Sequence, residues 1–122
     1  MPAHAFLIGD VLVVAGHLIN GSTIRRMTRA ELGETFTYYA IETEDHCLIL
    51  AEGAAAETKG NIKGNAGAFD NWSDYVALYG EEGRSYPNMD YPRYRMIDEL
   101  PQEIWRRVHG NDTIQEQVKK TA

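Results

Sequence analysis

Cysteine is almost absent from this chain, with Cys47 alone among 122 residues. An intramolecular disulfide is thereby excluded, and such usage fits a reducing, cytoplasmic setting. Long apolar stretches are lacking too: the longest run, as at residues 11–15, is far too short to cross a bilayer. The N-terminal stretch MPAHAFLIGD has no basic segment and meets Asp10 early, unlike a signal peptide. Cationic charge is also scarce. Twelve Lys+Arg stand against eighteen Asp+Glu, a net charge of −6. That balance works against unspecific nucleic-acid binding, which depends on cations displacing phosphate counterions. It suits a basic protein partner, or simply keeps a small domain dispersed.

Patterns that carry chemistry are missing as well. His4, His17, His46 and His109 show no H-x-x-x-H spacing and have no second cysteine to join them, so neither a metal site nor a cofactor is expected. His46 and Cys47 are neighbours, and neighbouring side chains on a strand point to opposite faces, which keeps them from forming a thiolate pair. Cys47 reads instead as a small buried hydrophobe. Asp70 and Asp74 sit four apart at a helix start, where carboxylates favour the helix dipole more often than they act as an acid–base pair. The stretch KGNIKGNAG, residues 59–67, is rich in glycine, but Lys63 precedes Gly64 and no hydroxyl follows Gly67, as a Walker-type loop would need. Plain surface-loop behaviour is the simpler reading. Lys59, Lys63 and Gly64 are the candidates should the loop hold a phosphorylated ligand.

What is present is an ordinary globular composition, 43% hydrophobic and 25% charged, enough for one domain over residues 1–110 with a helical tail at 111–122. The unalternating Val11-Leu12-Val13-Val14 predicts a strand covered on both faces. Asn20-Gly21 suits a type I′ turn, so residues 22–27 are expected to return antiparallel. Thr28-Arg29-Ala30-Glu31 is a capping box, followed by one helical turn that Gly33 ends. Two β-prone runs, 35–43 and 47–51, flank Glu44-Asp45-His46 and read as the central hairpin. Ala54-Ala55-Ala56-Glu57 looks like a helix start that the glycines beyond it prevent from extending. Trp72, Tyr75, Val76 and Tyr79 make one helical stripe, capped by Asp70 or Asn71 and closed by Gly80. Residues 94–97 are a candidate fifth strand. Pro101 opens a helix with Ile104, Trp105 and Val108 on its buried side, ended by Gly110. Asp112 and Gln115 can cap the tail, whose apolar stripe is only Ile114 and Val118.

Strands early and helices late predict an α+β fold: a small, strongly twisted antiparallel sheet of four or five strands, open or curled into an SH3-like barrel, with two to three C-terminal helices. Residues 84–95, RSYPNMDYPRYR, interleave arginine and tyrosine on a backbone stiffened by Pro87 and Pro92. Such side chains anchor interfaces, although here they also suit a core edge with internal ion pairs. With no catalytic constellation in view, the expectation is a non-enzymatic protein-binding module. By size and charge it is of the kind encoded by phages or plasmids as small acidic inhibitors of larger assemblies. The partner-binding residues would be Arg84, Tyr86, Tyr91, Arg93 and Tyr94, with Trp72 and Trp105 as exposed anchors, and a homodimer is compatible with an open strand edge. A nucleic-acid-binding barrel using Arg25, Arg26 and Arg29 is the first alternative, disfavoured by net charge. A binder or enzyme of a phosphorylated small molecule, using the glycine-rich loop, is the second.

Overall fold

Ala5–Ile8 (β1) and Val11–Val14 (β2) pair antiparallel from Ala5 opposite Val14 to Ile8 opposite Val11. The turn between them is Gly9-Asp10, where Gly9 adopts φ +64°. The structure, a computed structural model, describes residues 4–60, 69–94 and 96–110. A second hairpin joins Leu48–Ala51 (β3) to Ala54–Glu57 (β4). Its turn residues Glu52 and Gly53 both take positive φ, at 50° and 80°, which is the requirement of a type I′ turn and matches the strands' own twist. Phe6 pairs with Ala56 to link the hairpins, and Arg93–Tyr94 (β5) runs parallel to β2. The sheet order is therefore β3-β4-β1-β2-β5. It is a mixed, open sheet with edges at β3 and β5, so the SH3-like closure is not made. The α+β class with five strands stands.

β2 is buried on both faces, as its unalternating sequence predicts: Val11, Leu12 and Val13 are all inside. Val11 and Val13 meet Leu18, Leu100, Ile104 and Trp105 in the core, with Phe6, Ile8, Tyr94, Ile97 and Val108 packed against them. The helix Gln102–His109 (α3) supplies much of this, with Pro101 at its N-cap and Gly110, at φ +66°, closing it by an N–H bond to the Arg106 carbonyl. Trp105 is thus a core residue at 9% exposure, not an exposed anchor. An apolar i, i+4 stripe buries whatever large residue lies on it, whichever role that residue suits elsewhere. The helix Trp72–Tyr79 (α2) also ends at its glycine, with the Gly80 N–H bonded to the Val76 carbonyl, but its Asn71 cap makes no side-chain bond and none of its residues is fully buried.

Three expected elements differ. Residues 22–27 do not return as a strand, because Asn20 takes over their backbone groups: its Oδ1 accepts from the Ser22 and Ile24 N–H groups. Local carboxamide bonds of this kind compete directly with a ladder. Residues 35–43 form no strand either. Phe36, Tyr38, Tyr39 and Ile41 stand 65%, 65%, 80% and 52% exposed, and β3 pairs instead with residues 54–57 across the shorter turn. The alanines there, read as a helix start, form β4, since Ala56 must lie between Ile49 and Phe6 and a small side chain fits that position. Tertiary pairing overrides a propensity worth only tenths of a kcal/mol.

Arg29–Leu32 (α1) carries the full capping box. Arg25 joins it through two bonds to Glu31, and these, followed by those from Thr28, hold the Glu31 carboxyl down to about 2. Elsewhere, α3 docks through His109, whose Nε2 donates to the His17 carbonyl at 2.8 Å. The Nδ1 atoms of both rings are buried without a hydrogen-bond partner. Burial first, and then the neighbouring His109, lower the His17 pKa from 6.5.

Between the lowered folded value and 6.5 the unfolded chain therefore binds more protons. The stability linked to neutral His17 is full above 6.5 and declines as pH falls through that value. Thermal unfolding followed between about pH 7.5 and about pH 5.5 should show a midpoint that drops with acidification. His17→Gln should flatten the drop; an unaltered slope in the variant counts against this docking.

Candidate functional site

The segment between Glu42 and Cys47 arches over the start of the β3–β4 hairpin, and polar bonds rather than a ladder hold it. Thr58, just past β4 and 1% exposed, accepts from the Cys47 N–H at 3.1 Å and donates to the Cys47 carbonyl at 2.7 Å. Its hydroxyl also meets Thr43 Oγ1 at 3.3 Å, and that oxygen lies 3.1 Å from Cys47 Sγ. Thr43 in addition donates to the Asp45 carbonyl, which turns the chain sharply ahead of His46. The Lys59 N–H donates to the Ile41 carbonyl at 2.7 Å and closes the arch on its far side.

His46 is driven inward by that turn, and its side chain is only 3% exposed. Nε2 lies 3.1 Å from Glu57 Oε1 without the alignment of a hydrogen bond, and Nδ1 has no hydrogen-bond partner. The Tyr86 ring sits 6.0 Å away, centroid to centroid. Glu57, itself 8% exposed, ends β4. Its other oxygen accepts from the Ala5 N–H at 3.0 Å, and the Arg93 guanidinium pairs with the carboxylate. One carboxylate thus joins β4, β1, β5 and the arch.

A second carboxylate, Glu42, gathers another set at the foot of the arch. Lys59 Nζ lies 2.6 Å from it, the Tyr75 hydroxyl donates at 2.9 Å, and Arg84 stands 3.7 Å off. Tyr75 in turn accepts from the Arg84 N–H at 3.1 Å. Arg84 also donates to the Thr43 and Glu44 carbonyls, at 3.3 and 2.6 Å. Tyr86 donates to the Lys59 carbonyl at 2.9 Å. Burial is the main cause that raises the Tyr75 and Tyr86 phenols above 10, and the Glu42 charge adds to it. Both phenols stay protonated, as these bonds require.

The tyrosine–arginine segment therefore spends most of its polar groups on the molecule itself. Arg84 and Tyr86 strap the arch, Arg93 holds Glu57, and Tyr94 packs on the core. Trp72 is half-buried and stacks on Tyr75 at 5.1 Å. Tyr91 is 40% exposed. Lys59 is engaged with Glu42, while Lys63 and Gly64 lie outside the described residues, as do Arg95 and the 111–122 tail. Arg25 is committed to Glu31, so the three arginines of the nucleic-acid alternative do not act as one free patch.

His46 and Cys47 have separate partners, but neither lies on a strand, since β3 begins at Leu48, and Cys47 is half-buried rather than fully enclosed. Residue spacing carries no sign of the approach of His46 to Glu57, since no spacing rule joins two residues across a hairpin whose second strand has the composition of a helix start. Glu57 as the last residue of a strand directly after an Asx/Glx-Gly turn was the available signal. Among the described residues no three His, Cys, Asp or Glu side chains gather as a metal group would need, and no helix is long and apolar enough to cross a membrane.

Residues 2–61 match the family model described as the Hint domain. The match holds β1 to β4 and the His46–Glu57 and Cys47–Thr58 contacts, and it stops before α2, β5 and α3. No curated protein and no solved structure matches the chain.

Glu42 sets the strength of the whole foot of the arch. Glu42→Gln leaves Lys59, 13% exposed, without its carboxylate and should cost about 2–3 kcal/mol in urea unfolding. Glu44→Gln, on the exposed side of the arch, should stay within about 0.5 kcal/mol.

Proposed function

We propose that residues 2–61 work as a Hint-type unit centred on His46, which acts as a general acid–base for a substrate group brought to its Nδ1. The observation that carries this is a buried imidazole with one nitrogen facing a carboxylate and the other without a partner. The Glu57 carboxylate faces Nε2 at 3.1 Å, and Nδ1 is left for a substrate group. Glu57 can serve in this way because Arg93 and the Ala5 N–H fix its position. An unpaired nitrogen inside a fold is costly unless something uses it, and such groups collect at functional sites. Cys47 takes no part as a nucleophile activated by His46, since its sulfur contacts Thr43. Tyr86 and Gly60 lie against the ring, so a substrate group reaches Nδ1 when the strap around Tyr86 shifts.

Hydrolysis of a p-nitrophenyl ester by the full chain reports on such a group. His46→Gln should lower the rate by about 100-fold, Glu57→Gln should lower it too, and His4→Gln should not. Equal rates for His46→Gln and the parent would remove this reading.

A second reading keeps the chain as a non-enzymatic binding module, an acidic inhibitor of a larger assembly. It is supported by a specific observation: Phe36, Tyr38, Tyr39 and Ile41 stand in one segment outside the sheet with more than half of their surface open. Exposed aromatic clusters of this kind mark protein contacts, and the net charge of −6 suits a basic partner. The contact surface in this reading is residues 36–41 together with Tyr91. Co-purification from the native host should lose its specific partner on Phe36→Ser with Tyr39→Ser, and weaken on Tyr91→Ala. An unchanged partner list for the double variant sinks it.

A further inference from the structure

Away from the His46 arch, the described structure holds a cleft of about 290 Å³. Phe6 of β1, Ala15 and Leu18 of the short 3-10 turn, Ile19 and Ile24 wall it, and Arg25 and Arg26 complete the lining. The wall from residue 20 to residue 24 is built in advance. Asn20 accepts from the Ser22 and Ile24 N–H groups, and its Nδ2 donates to the Val108 carbonyl of α3 at 3.1 Å. The Asn20 and Gly21 N–H groups both donate to the Ile24 carbonyl. Ile24 is consequently fixed beside the cleft although it lies outside the core and is 40% exposed.

The two arginines differ in what they have left to offer. Arg25 is bound to both oxygens of Glu31. Arg26 makes no ion pair or hydrogen bond with any acid among the described residues. An apolar cavity with one uncommitted guanidinium is complementary to an apolar body carrying one anionic oxygen group. The cavity amounts to roughly ten water volumes, at the small end of ligand pockets. That size fits a medium-length chain or a single ring.

We infer that this cleft binds a small apolar carboxylate, with its hydrocarbon part against Phe6, Leu18 and Ile24 and its carboxylate on Arg26. The site is separate from the acid–base centre and stands whether or not that centre acts as proposed.

Calorimetric titration of the full chain with octanoate, octanol, octylammonium and acetate tests it. Octanoate should bind about tenfold more tightly than octanol, corresponding to one charge-assisted bond, and acetate and octylammonium should bind more weakly still. Arg26→Gln should bring octanoate down to the level of octanol and leave octanol unchanged. This variant alters one exposed, unpaired side chain, and its circular dichroism should match the parent's. Ile24→Asp should remove both ligands. Equal affinity for octanoate and octanol in the parent overturns the assignment, as does an Arg26→Gln chain that still prefers octanoate. Binding of a peptide with a free apolar C-terminal residue in place of octanoate also overturns it, since the occupant would then be a protein terminus.

Discussion

The Glu57 carboxylate is the interaction on which the rest of this structure leans. It lies at the last residue of β4, almost out of water, and a buried charge is tolerated only where its oxygens are satisfied. Two groups from two places do so, the backbone N–H of Ala5 on β1 and the guanidinium of Arg93 on β5, and His46 approaches from the arch. Each partner is distant in sequence. A charge that must be neutralised therefore dictates that the N-terminal strand, the hairpin and the late strand meet at one point.

Around that point the molecule divides its labour. Apolar burial is concentrated on one side, where β2 lies against Trp105, Ile104 and Leu100. The other side holds together by hydrogen bonds and ion pairs: Thr58 clamps Cys47, Glu42 collects Lys59, Tyr75 and Arg84, and Tyr86 ties back to Lys59. Helix α2 illustrates the contrast, since it buries no residue fully and its Tyr75 hydroxyl bonds to Glu42. Polar attachment of this kind is directional and gives way locally, whereas a packed core gives way as a unit.

The Hint-type match and the apolar residues of the 36–41 segment bear on different surfaces. The matched residues contain the arch and its histidine, while the tyrosine–arginine strap and both longer helices lie beyond them. If the histidine is the working group, the later residues serve to cover and position it, which accounts for arginines and tyrosines spent on internal bonds. The side chains of Phe36, Tyr38, Tyr39 and Ile41 are more than half exposed, and the second proposed reading would place a partner there.

Some features were legible because they depend on neighbours along the chain. The capping box at Thr28 and Glu31, the glycine stops at Gly80 and Gly110 and the doubly buried β2 all follow from periodicity and local bonding. The α+β class follows from the order of those elements. Other features required the fold. Residues 35–43 are as β-prone as any in the chain, yet the Glu52-Gly53 turn closes a shorter hairpin, and pairing goes to the nearer strand. Alanines 54–56 favour a helix by tenths of a kcal/mol, which the sheet's demand for small side chains beside Phe6 outweighs. Trp105 looked like an anchor and became core, while Arg84, Tyr86 and Arg93 found acids and carbonyls up to 41 residues away. Local rules act within a few residues and are written in sequence. Which carboxylate meets which cation is set by long-range closure, and that only the tertiary structure decides.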